Sequence, residues 1–124
     1  MTENYNLIYS YTRKQAIEDG VLIDVSKMAS EAGIKHPVAV TYTLWYEYIE
    51  PDPDAKSLGQ SIEGRLWDVL WMFRVKAFVS VDSQFQFRVY FIMGKEVKLV
   101  ELKAVCGPGD NHEPVITLML PEED

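Results

Sequence analysis

The stretch "GPGDNHEP", residues 107 to 114, sets an imidazole between two carboxylates: Asp110, His112 and Glu113. Such a group could touch a divalent cation. However, the Asp-x-Asp-x-Asp-Gly spacing of a calcium loop is missing, and no second ligand cluster accompanies it. Gly107 and Gly109 flank Pro108, and their amides could form an anion-binding nest. The Lys and Ser/Thr of a phosphate-binding loop are missing, and no helix is predicted to follow. The stretch reads as a hairpin loop. Replacing Asp110, His112 or Glu113 by Ala is expected to change stability little. No metal and no cofactor are expected.

The other reactive types are scattered. His36 precedes a predicted helix start, a place where loop or cap roles prevail. Cys106 ends an apolar run and reads as a buried, inert thiol. Glu47, Glu50, Asp52 and Asp54 cluster in "EYIEPDPD", where a glycosidase would need two carboxylates at a fixed separation across a cleft; they read instead as a solvated acidic surface. Arg65 and Asp68 stand three apart on a predicted helix and are expected to pair locally. Arg74 is a candidate buried anchor. No nucleophile, base and oxyanion site assemble, so the expectation is a non-enzymatic protein.

Composition narrows the class further. The 124 residues suit one domain over 1–124, with 48% hydrophobic and 25% charged residues, ordinary for a globular protein. The single cysteine excludes an internal disulfide framework. A net charge of −7 offers no footprint for phosphate backbones, so direct nucleic-acid binding is not expected. "MTENYNLIYS" lacks the basic and apolar regions of a signal sequence. Charges interrupt every apolar stretch. A cytoplasmic protein without a membrane contact is expected.

The elements that would position these residues follow from patterning. "TRKQAIEDG" has capping-box spacing at Thr12 and Gln15 and ends on Gly20, giving a short helix. "VLIDV" (21–25) reads as a buried strand. "SKMASEAGI" gives a second short helix, with Ser26 as cap and Gly33 as stop. Helical spacing of Val38, Tyr42, Trp45 and Ile49, with Pro37 in the first position, predicts a helix over 37–50. A strand is the competing reading, because Val, Thr and Tyr favour sheets. "PDPDAKSLGQ" reads as a loop. A long helix spans 61–80. "QFQFRVYFI" alternates, with Phe85, Phe87, Val89 and Phe91 facing a core. "MGKE" is a turn. In "VKLVELKAVC" the phase of Val97 and Leu99 disagrees with that of Val100, Leu102 and Ala104, which suggests a bulge or two buried faces. "VITLML" is apolar on both faces and reads as central. The predicted class is α+β: N-terminal helices with a short strand, and one long central helix packed on a C-terminal three- to four-stranded antiparallel meander.

The long helix "IEGRLWDVLWMFRVKAFVS" is apolar nearly all round. Ile62, Leu66, Val69, Leu70, Phe73 and Ala77 make one face; Trp67, Trp71, Val75 and Phe78 make a second. The first face suits the sheet. Packing of the second against helix 37–50, through Trp45 and Ile49, is the expected arrangement. If that helix does not shield them, Trp67 and Trp71 form an exposed patch with Tyr42, Trp45 and Tyr46 that would bind a partner or a second copy.

"QAIEDGVL", "GRLWDVLWM" and "CGPGD" followed by "PVITLMLPE" resemble a family of short uncharacterised proteins encoded by bacterial phages, plasmids and other mobile elements. The resemblance covers nearly the whole chain. It implies an accessory gene of mobile DNA, and such genes often encode inhibitors of host defence. The leading expectation is a protein-binding accessory protein with a protein partner, homodimerisation being one form of that contact. One alternative is an acidic DNA mimic using Glu47, Glu50, Asp52, Asp54 and the tail Glu122, Glu123 and Asp124. Another is a small ligand-binding domain or enzyme using the 107–113 turn.

Overall fold

The computed structural model describes residues 11–123. Helix α1 (Arg13–Glu18) starts at the Thr12/Gln15 capping box, with both reciprocal bonds formed. It ends before Gly20, whose φ of +79° favours a residue without a Cβ. Strand β1 (Leu22–Asp24) is half-buried, not fully buried as the sequence suggested, because it lies at a sheet edge. Helix α2 (Ser26–Glu31) follows. Ser26 lies inside it, and its hydroxyl donates to Asp24 Oδ1 at 2.6 Å and accepts from Val38 N at 3.0 Å.

The expected helix over 37–50 does not form as such. Its first part is strand β2 (Val38–Thr41), almost wholly buried. Thr41 then caps a short helix α3 (Tyr42–Leu44) by accepting from Leu44 N at 3.2 Å. The chain continues as a π-helical turn, Trp45–Ile49. The β-favouring composition prevails because a sheet position is open to it. Pro37, lacking an N–H, sits just before the strand, and its carbonyl accepts from Ile116 N at 2.9 Å. "PDPDAKSLGQ" also differs from expectation: Asp52 caps helix α4 (Pro53–Ser57), with Pro53 in its first turn.

Helix α5 (Ile62–Val79), capped by Ser61, is the long helix. Strands β3 (Gln84–Met93), β4 (Glu96–Pro108) and β5 (Pro114–Met119) complete a five-stranded sheet of order β1-β2-β5-β4-β3. The class is α+β, and β5 is central. The sheet is larger than a C-terminal meander, because β1 and β2 join it. β2 pairs with β5 in parallel and the other neighbours are antiparallel.

The β3–β4 register runs without interruption from Gln84↔Val105 to Met93↔Glu96. There is therefore no bulge, and Val97 and Leu99 lie exposed on the outer face beside Ile92 and Tyr90. The inner face carries Val38, Val40, Ile116, Leu118, Leu102 and Phe87, covered by Leu66, Val69, Leu70 and Phe73 of α5. Phe73 stacks on Phe85 at 5.7 Å and meets Phe87 edge-on at 6.0 Å.

Candidate functional site

Helix α5 buries one face, and among the described residues no element covers the other. Leu66, Val69, Leu70 and Phe73 pack on the sheet. Trp67 is 39% exposed, Trp71 42% and Phe78 92%; Val75 and Val79 are exposed as well. The expected packing of this second face on residues 37–50 is not found. That segment spends its first residues on strand β2 and so does not form a helix long enough to lie alongside.

The two indoles stack with centroids 6.2 Å apart and planes within 13°. With Asp68, Met72, Val89 and Tyr90 they line a groove of about 350 Å³ between α5 and the outermost strand, β3. Asp68 is the only charge in that lining, and partial burial pushes its carboxyl above the ordinary carboxylate range. The guanidinium of Arg74 lies over Trp71, 5.2 Å from the ring centre. Arg74 is thus exposed on the indole and is not a buried anchor.

Tyr42 and Tyr46 do not join this groove. Their rings lie 4.4 Å apart, tilted by 36°, and line a separate one with Val21 and Ile23. Trp45 is half-buried against the core. The five aromatics expected to form one patch are therefore split.

Arg65 does not pair with Asp68. It is 2% exposed and turns inward. Its guanidinium donates to Tyr48 O at 2.5 Å and to Ile92 O, and lies over Phe91. Its Nε has no hydrogen-bond partner among the described residues. The side chain thus joins the π-helical turn to the last residues of β3. Sequence reasoning missed this role, because the two acceptors are backbone carbonyls brought near only by the fold.

The acidic residues are partly occupied. Asp52 accepts from Ala55 N and Gly94 N, both at 2.8 Å, and these amides hold its carboxyl below the ordinary range. Glu123 accepts from Thr41 Oγ1 and Leu120 N at 2.8 Å. Glu47 and Asp54 are exposed and Glu50 is half-buried. Asp124 lies outside the described residues.

The 107–114 turn is a clamp on α1. Asp110 accepts from Arg13 N at 2.8 Å and Lys14 N at 3.0 Å, which lowers its pKa. The Arg13 guanidinium donates to Thr117 Oγ1 and Ile116 O, each at 2.7 Å. These contacts give Asp110 a structural role in holding α1 that the sequence analysis did not anticipate. Burial raises the Cys106 thiol, which disfavours the thiolate. Among the described residues no group of His, Cys, Asp and Glu is placed to hold a metal. No described helix is long and apolar enough to cross a membrane.

The fold is α+β, and the groove between α5 and β3 is lined mainly by aromatic and apolar side chains. The chain belongs to the family of unknown function DUF6573, whose family model matches residues 1–124. No curated protein and no solved structure matches the chain.

Proposed function

We propose that this protein is a non-enzymatic, protein-binding accessory protein of a bacterial mobile element. It acts in the cytoplasm, stoichiometrically, as an inhibitor of a host defence protein. The observation that carries the binding part is the face of α5 that no described element covers, with the stacked Trp67 and Trp71 over a groove beside β3. Trp and Tyr dominate interface hot spots, and a contiguous apolar patch rimmed by polar residues marks a contact surface. The mobile-element and anti-defence parts rest on the sequence resemblance.

Two other readings have less support. A DNA mimic needs free carboxylates at phosphate-like spacing, whereas Asp52 and Glu123 are engaged within the chain. Twelve basic residues further dilute the acidic field. A ligand site at the 107–113 turn needs free polar groups, and Asp110 already holds two amides of α1.

The test compares the tagged wild-type protein with Trp71→Glu in host extract, with bound proteins identified by mass spectrometry. Circular dichroism first establishes that the variant is folded, as expected for an indole this exposed. The expected result is a specific partner captured by the wild type and lost by the variant. Retention of that partner by the folded variant would refute the assigned surface.

A further inference from the structure

We infer that two copies of this chain pair antiparallel through the free edges of β3, making one continuous ten-stranded sheet with both α5 helices on the same face. The inference rests on the reading above that the α5/β3 strip is a protein-contact surface, and it names the occupant.

The two edges of the sheet differ. β1 is three residues long, which blunts its edge. β3 is ten residues long, regular, and free of proline, bulge and lysine, so it has almost none of the devices that protect an edge. Among the described residues it pairs only with β4. The direction of its free groups is fixed by two bonds. Cys106 N donates to Ser83 O at 2.7 Å, so odd-numbered residues bond toward β4. Ile92 O, of the even set, instead accepts from Arg65. The outward N–H and C=O groups therefore belong to Gln84, Gln86, Arg88 and Tyr90, and Arg65 closes the edge at Ile92.

That open segment selects both partner and register. Its midpoint is Phe87. A two-fold axis there places Gln86 opposite Arg88 of the second copy and Gln84 opposite its Tyr90, and satisfies every outward group from Gln84 to Tyr90. An axis at Arg88 would set two arginines face to face. A second copy presents a strand of matching length with the same free groups, so the contact is self-complementary and closes as a dimer. Trp67, Trp71 and Met72, which line the groove beside Tyr90 of β3, flank that edge and add apolar side-chain surface next to it.

The experiment is sedimentation of the full chain with hydrogen exchange on the amides of β3. The wild type is expected to run at twice its 14.3 kDa chain mass at about 20 µM, a concentration at which a micromolar interface is populated. Amides of Gln84, Gln86, Arg88 and Tyr90 are expected to be protected. Arg88→Pro removes an N–H that the β3–β4 ladder does not use, so the fold should persist while dimer and protection are lost. Gln86→Glu faces Arg88 of the second copy and should tighten the dimer by about two- to tenfold. Gln86→Glu with Arg88→Glu sets like charges opposite and should weaken it at least as much. This pair decides the matter if the proline variant does not fold. A wild type that stays monomeric at about 100 µM, above the micromolar-to-picomolar range of standard interfaces, would overturn the inference. So would a folded Arg88→Pro dimer, or an affinity unmoved by both glutamate variants. A monomer whose host partner is lost in Trp71→Glu sinks the dimer and leaves the binding function standing. A dimer that captures no host protein does the reverse.

Discussion

Phe87→Ala tests how the sheet faces the long helix. Phe87 is 4% exposed, lies on the inner face opposite Leu102, and meets Phe73 edge-on at 6.0 Å. Truncation to Ala removes a ring that buries on the order of 100 Å² of apolar surface, or about 2.5 kcal/mol at 25 cal/mol/Å². The cavity left between α5 and β3 adds to this, because packed neighbours relax only in part, and brings the loss to about 3–5 kcal/mol. For 124 residues, an unfolding entropy near 2.1 cal/mol/K per residue gives about 0.26 kcal/mol/K. The expected fall in Tm is then about 12–19 °C. Gln86→Ala, one residue away on the exposed outer face, should stay within about 0.5 kcal/mol of wild type. Differential scanning calorimetry at one protein concentration measures both. Equal shifts for the two variants, or a shift of under about 3 °C for Phe87→Ala, would show that the strand faces are reversed.

Two further outcomes follow from buried polar contacts. Arg65→Met keeps much of the volume but strips the donors from Tyr48 O and Ile92 O; urea unfolding should show a loss of about 2–4 kcal/mol, and an unchanged midpoint would refute the role given to Arg65. Asp110 has a folded-state pKa depressed by the amides of Arg13 and Lys14, so its contribution is present above the ordinary carboxylate range and lost as pH falls through the depressed value. Asp110→Asn should therefore melt below wild type at pH 7, and the gap should close as pH drops below about 4; a gap independent of pH would contradict the clamp.

How much of this was legible in the sequence depended on whether a signal was local. The Thr12/Gln15 capping box, the stops at Gly20 and Gly33, the Ser61-capped long helix and the alternation of Phe85, Phe87, Val89 and Phe91 all involve residues a few positions apart. Backbone geometry and side-chain period decide such features, so the sequence alone determined them, and with them the α+β class. The apolar run of β5 likewise marked a strand buried on both faces, hence a central one.

Tertiary structure decided the rest. Residues 38–41 carry both a helical spacing and a β-favouring composition, and the choice fell to strand because β5 offers a parallel neighbour 78 residues away, as in Val38↔Ile116. That choice removed the helix that would have shielded Trp67 and Trp71, and so exposed them. Arg65 was drawn from Asp68, three residues along, to two backbone carbonyls that only the fold brings within reach. Asp110 met α1 across 97 residues of chain. The free edge of β3 is a property of strand order, and strand order is set by which long-range pairings bury the most apolar surface while satisfying the backbone. No local pattern encodes that balance, which is why the residues could be read as aromatic, acidic or apolar from the sequence, while the site they form could be read only from the fold.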